Sequence, residues 1–157
     1  MKPNALDVSG LKVIYTGGQQ TVHALNHVSF SLEEGETLCL VGETGAGKTT
    51  TALSIIRLLP ESSGKVLEGR VLFDGHDLLA LKESDMQAIR GGRISMIFQD
   101  PMTALNPVMP VGDQIIEALV YHNADKMSKK DLEMRVDEVM ELVGIPSFRK
   151  KEYPQAP

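Results

Sequence analysis

At 157 residues and 42% hydrophobic content, the chain has the length and material to bury a core as one domain or a large piece of one. Sixteen basic residues against 21 acidic ones give a net charge of −5, so no basic stripe is available for a nucleic-acid backbone and nucleic acid is excluded as a partner. No apolar run approaches the roughly 18 residues that span a bilayer, and Met1-Lys2-Pro3-Asn4 carries no apolar signal core, so the sequence reads as cytosolic.

The N-terminal portion reads as β-rich. Ala5–Ser9 and Lys12–Tyr15 suggest a strand pair around Gly10, followed by a turn at Thr16-Gly17-Gly18-Gln19-Gln20. Val28–Leu32 alternates with period two, and Glu33-Glu34-Gly35-Glu36 turns the chain into Leu38-Cys39-Leu40-Val41, an apolar run of the kind found in buried parallel strands. Cys39, the single cysteine, falls within that run and reads as an inert core thiol. His23 and His27 are four residues apart, but they flank a strand-like segment, which disfavours metal ligation.

Immediately after the apolar run stands Gly42-Glu43-Thr44-Gly45-Ala46-Gly47-Lys48-Thr49, which matches G-x-x-x-x-G-K-[ST] without a mismatch. Thr50 to Leu59 reads as a helix stopped by Pro60, so strand, loop and helix come in the order that phosphate binding needs. Gly42, Gly45 and Gly47 permit dihedrals that other residues resist, so that successive N–H groups curl around a phosphate. The helix start adds open N–H donors and the positive end of a dipole. Lys48 supplies a compact cation for the β- and γ-phosphates, and the Thr49 hydroxyl suits Mg²⁺. The expected ligand is a nucleoside triphosphate with Mg²⁺, held by Gly42, Glu43, Thr44, Gly45, Ala46, Gly47, Lys48, Thr49 and Thr50.

Further on, Val71–His76 reads as a strand ending in an Asp74-Gly75 turn. Ser84 with Gln87 has the form of a capping box, opening a short helix that ends at Gly91-Gly92. Arg93–Phe98 is a second buried-strand candidate, delivering Gln99 into a loop that runs to Pro110 and is stiffened by Pro101 and Pro107. A neutral amide there can touch Mg²⁺ or position a water, although an ordinary surface loop accounts for the physical pattern equally well. Ile115, Ile116, Leu119 and Val120 lie at helical spacing behind Asp113. Ser128 and Asp131 open another helix, with Leu132, Val136, Val139, Met140 and Val143 as its apolar stripe and Gly144 and Pro146 as its end.

The phosphate loop, Tyr15 and the run Phe98-Gln99-Asp100-Pro101-Met102-Thr103-Ala104-Leu105-Asn106-Pro107 together resemble an ABC-transporter ATP-binding subunit of the oligopeptide, dipeptide and nickel import branch. The resemblance runs from about Leu6 to Tyr153. It implies an α/β fold, the P-loop NTPase class in its ABC-type nucleotide-binding form. It also implies that Tyr15 stacks on adenine, with a core aromatic at a strand end as the alternative. Gln99 matches the glutamine that senses Mg²⁺ and the γ-phosphate, which makes it the implied catalytic residue and, with Thr49, a metal contact. Implied partners are permease subunits through Gln99–Pro110, a second ATP-binding subunit and, indirectly, a substrate-binding protein. The implied location is the inner face of the cell membrane, as a peripheral cytoplasmic subunit.

The sequence also departs from that family. Its members continue from a Tyr-Pro pair into an L-S-G-G signature, a strand ending in Asp-Glu and a switch histidine, whereas here Tyr153-Pro154-Gln155 is followed by Ala156-Pro157. Asp74 follows an apolar triplet, but Gly75 stands where a second carboxylate would polarise water. The resemblance thus implies a domain lacking its C-terminal part: a β-rich portion at 1–37, the phosphate-loop core at 38–110 in a partial parallel sheet, and a helical region at 111–153. Leu38–Val41 would then lack a neighbouring strand, which predicts marginal stability or association. Two functions are weighed: ATP binding by a peptide-importer subunit whose full-length parent hydrolyses ATP, or a nucleotide-binding module without turnover or transport. A small kinase is more distant, since the run through Asn106-Pro107 argues against it.

Overall fold

The computed structural model describes residues 4–18, 20–99, 104–122 and 127–155, and the chain divides into two compact units, Met1–Arg90 and Gly91–Pro157. The first unit contains β1 (Asn4–Gly17), β2 (Gln20–Glu33), α1 (Lys48–Ile55), β3 (Gly64–Phe73), β4 (His76–Asp77) and α2 (Glu83–Ile89). The four strands form one antiparallel sheet in the order β2-β1-β3-β4.

Instead of a strand pair around Gly10, β1 is a single long strand with a bulge there. Gly10 takes φ +60, and its N–H donates to Ser29 Oγ at 2.8 Å. The extra residue shifts the inward–outward alternation by one, so Val8, Leu11 and Val13 all stay buried despite their uneven spacing. Across the bulge the β3 backbone comes so close that a Cβ on Gly69 would sit 2.6 Å from Leu11 Cα. Leu25, Val71, Leu78, Ile56 and Met86 complete this core. Asp74 and Gly75, at φ 47 and 79, make the tight turn expected between β3 and β4.

Helix α1 ends at Ile55, short of Leu59, because Arg57 takes a left-handed φ of 54. The Arg90 guanidinium caps that end, donating to Ile56 O at 2.7 Å and to Arg57 O at 3.0 Å. Arg57 in turn donates to Leu81 O at 2.7 Å. The hydrogen bond from Arg90 holds the Glu83 carboxyl below its ordinary range. The capping box expected at Ser84 does not form: α2 starts behind Lys82, the Ser84 hydroxyl turns to Asp85, and the helix stops at Arg90 before the glycines.

Neither expected parallel strand is present. Residues 36–43 and 95–98 carry no ladder, Val41 is 90% exposed and Ile97 96% exposed, and Cys39 is an exposed thiol instead of a core one. An apolar run becomes a buried strand only when neighbours supply ladder partners and cover, and among the described residues the only sheet is the antiparallel one.

The second unit contains α3 (Val111–Tyr121), α4 (Lys129–Leu142) and a 3-10 helix, Ser147–Lys151. Buried Gly112 lets α3 approach the 3-10 helix, since a Cβ there would lie 2.9 Å from Lys150 Cβ, and Val111 N–H donates to Glu152 O at 2.9 Å. At the expected helix start, Ser128 and Asp131 form a reciprocal cap. Leu132, Val136 and Met140 are buried, whereas Val143, placed in the stripe by spacing, is 66% exposed because it is already the C-cap residue. Gly144 at φ 78, with Ile145 N–H donating to Met140 O at 2.9 Å, closes the helix as a Schellman motif. Ser128→Ala removes one half of the reciprocal cap and should cost about 0.5–2 kcal/mol, read as a lower urea midpoint with unchanged slope.

Candidate functional site: a phosphate-binding loop

Beyond the turn at Gly35, residues 36–43 lead without regular structure into the loop, and α1 begins at Lys48. Gly45 and Gly47 take φ 85 and 86, the left-handed conformation that favours glycine, so the two N–H groups can be turned inward. Gly47 is also sterically required: a Cβ would meet Ala24 O and Leu25 Cδ2 of β2, each at 2.7 Å. Gly42, expected to use the same freedom, does not adopt a left-handed φ. Its need is for space, since a Cβ would press on Ala46 Cβ at 3.0 Å.

No side chain caps α1, whose N-cap is Gly47, so the N–H donors of its first turn face outward at the positive end of the helix. Helix geometry is secured one residue later, where the Thr51 N–H and hydroxyl both reach Gly47 O, at 2.8 and 2.9 Å. Lys48 Nζ curls back over the loop and donates to Gly42 O at 2.5 Å and Glu43 O at 2.7 Å. Its cation therefore sits on the loop, where Ala46 N–H also turns back to Glu43 O at 3.1 Å, beside the open start of α1. Glu43, Thr44, Ala46 and Thr49 are exposed, and Thr50 is half-buried. Thr49 thus offers an accessible oxygen, a hard donor of the kind that Mg²⁺ takes.

Tyr15 lies near the C-terminal end of β1 and is half-buried, its hydroxyl 3.5 Å from Thr50 Oγ1 in α1. Sequence position alone separates Tyr15 from the loop by more than 25 residues, and the sheet brings them together. A cavity of about 390 Å³ is lined by Ser54, Arg57, Leu59, Gly64 and Leu79 among others. It offers phosphate little, because Arg57 is engaged by the carbonyls of Leu78 and Leu81.

Gln99 is exposed, in the second unit. Residues 100–103 lie outside the described part of the chain, so Pro101 is not placed. The described end of the loop is held by a residue that sequence reading missed. Gln114 of α3 accepts from Asn106 N–H at 2.8 Å and donates to Asn106 O at 3.0 Å and Met109 O at 2.9 Å. Those bonds run to residues five and eight positions back, a span with no motif to announce it.

A family profile described as ABC transporter matches residues 25–157. The dipeptide transport ATP-binding protein DppD of Bacillus subtilis (strain 168) is 52% identical over 151 residues, covering 95% of this chain and 44% of that protein. The oligopeptide transport ATP-binding protein OppD of the same strain is 46% identical over 146 residues, covering 93% of this chain and 40% of that protein. Among solved structures, the dimeric ATP-binding cassette MJ0796, in a post-hydrolysis state bound to ADP and Pi, superimposes with a TM-score of 0.81 at 23% identity. That match covers 95% of this chain and 61% of that one, and it shows the fold. The chain spans about 44% of the length of its curated dipeptide-transport relative. With its phosphate loop inside the matched residues and its fold shared with an ATP-binding cassette, the chain belongs to the ABC transporter family.

Proposed function

We propose that this chain carries the ATP-holding part of the energy-coupling subunit of an ABC importer for peptides, whose full-length parent hydrolyses ATP to drive uptake. One observation carries the ATP reading: two left-handed glycines, an uncapped helix start and the Lys48 ammonium converge on the same short loop. The peptide reading is supported by the names of the curated relatives. In this reading Tyr15 stacks on the base, the loop amides from Gly42 to Thr50 and Lys48 hold the phosphates, and Thr49 and Gln99 contact Mg²⁺. Mg²⁺ held there would neutralise phosphate charge. Gln99 positions the attacking water as the catalytic residue.

The partners in this reading are permease subunits, a second ATP-binding subunit and, through the permease, a substrate-binding protein. The subunit then works at the inner face of the cell membrane as a peripheral protein. No helix among the described residues is long and apolar enough to cross a membrane. Gln99–Pro110 is the docking segment, and Gln114 keeps its far end in one shape. Cysteine placed at Thr103 or Leu105 should crosslink to a permease subunit in the assembled transporter. Free labelling of both positions with no crosslink would reject the docking assignment.

A further inference from the structure

We infer that Gly64 is a positioning residue for nucleotide binding, acting through the Tyr15 ring. The inference rests on the ATP reading above and extends it to a residue outside the phosphate loop. Tyr15 and Gly64 face each other across the β1–β3 ladder, in a part of the sheet where the register is regular. Glycine at the first residue of β3 adds entropy to the unfolded chain and offers no side chain to pack. The backbone does not demand it here, because Gly64 lies outside the left-handed region.

What glycine provides is room. A Cβ at Gly64 would lie 3.1 Å from Tyr15 Cε1, 2.9 Å from Leu59 Cβ and 3.3 Å from Pro60 O. Two of these neighbours are fixed. Ser63 and Gly64 N–H both donate to Pro60 O, at 3.1 and 2.7 Å, which pins the Leu59–Pro60 turn to the start of β3. Thr16 N–H donates to Ser63 O at 2.8 Å, which pins the β1 backbone as well. The ring is the part free to turn, about its own side-chain bonds. It now rests on the bare Gly64 backbone with its hydroxyl end 3.5 Å from Thr50 Oγ1, directed towards the first turns of α1. With Leu59 and Pro60 held, a methyl group at position 64 presses the ring out of that pose, and none of its three nearest atoms belongs to the phosphate loop.

The base and the phosphates should therefore separate in a binding experiment. Calorimetric titrations with Mg²⁺-ATP and with Mg²⁺-tripolyphosphate would be run on the parent chain and on Gly64→Ala, Tyr15→Ala, the double variant and Lys48→Ala. Gly64→Ala should weaken Mg²⁺-ATP about fivefold or more, within the range of one lost base stack, and leave tripolyphosphate unchanged. In the Tyr15→Ala background it should add nothing, because the two changes act on one contact. Lys48→Ala should weaken both ligands. An unchanged ATP affinity in Gly64→Ala overturns the inference while the Lys48 result upholds the site. Equal loss of both ligands in Gly64→Ala, or an additive double variant, also overturns it, since general distortion would then explain the effect. No loss in Lys48→Ala rejects the site itself, and Gly64 with it.

Discussion

Lys48→Ala lowers affinity for Mg²⁺-ATP roughly 10- to 150-fold. The figure follows from the loss of a charged hydrogen-bond donor, worth about 1.5–3 kcal/mol, converted at 1.4 kcal/mol per decade. The structure adds a reason why the loss is not larger. Lys48 Nζ bonds the carbonyls of Gly42 and Glu43 within the loop, so phosphate binding exchanges some of those bonds instead of creating all its contacts anew. Lys48→Arg is a sharper companion variant: it keeps the charge, but a planar five-donor fork cannot tuck against two adjacent carbonyls as a compact ammonium does. It should bind ATP more weakly than the parent chain. Titration with a fluorescent nucleotide reads both variants, and unchanged binding by Lys48→Ala removes the basis for the phosphate-loop assignment.

The 157 residues by themselves are expected to hold Mg²⁺-ATP without turning it over. Phosphoryl transfer depends almost wholly on positioning and charge stabilisation, so catalysis collapses when several positioned groups are missing together. Within this sequence no apolar run ends in Asp-Glu. Asp74, the nearest approach to that pattern, is spent in the left-handed turn between β3 and β4. ABC enzymes also close ATP between a phosphate loop and a partner's signature motif, and L-S-G-G does not occur in these residues. Phosphate release from this polypeptide should match that of its Lys48→Ala variant. Lys48-dependent release near about 1 per second or faster would refute the expectation and point to an unrecognised catalytic carboxylate.

Legibility in the sequence followed the range of the interactions. The left-handed glycines Gly45 and Gly47, the Asp74-Gly75 turn and the helix start at Ser128/Asp131 are specified within a few residues, and each is found where the residues indicate. The Ser84 box failed because a helix start is a competition, and Lys82 supplies the extended residue two positions earlier. Leu38–Val41 and residues 95–98 have strand composition without strand structure, since a strand is a property of a pair and the pairing partner is not encoded locally. The exposed state of Cys39 follows from the same cause. Gly10 was visible as a break, but whether it separates two strands or bulges one depends on Gly69, far away in sequence. In the candidate site the loop and the helix start at Lys48 were readable from the motif, whereas the contact of Tyr15 with Gly64 and the Gln114 tether exist only once β3 and α3 are in place.

The lack of room for a Cβ at Gly69 beside Leu11 would also guard the register of β3 during folding. Strands that pair far apart in sequence risk slipping by a residue, and a slip of one reverses every side chain. Here a slip in either direction would bring Glu68 or Arg70 opposite the bulge, where a Cβ in the place of Gly69 would lie only 2.6 Å from Leu11 Cα. Mispaired forms are thus rejected by collision at one glycine before the core has to discriminate among them. Placing alanine at Gly69 would raise the energy of the native pairing towards that of its competitors, so its signature would be heterogeneous refolding as well as lower stability.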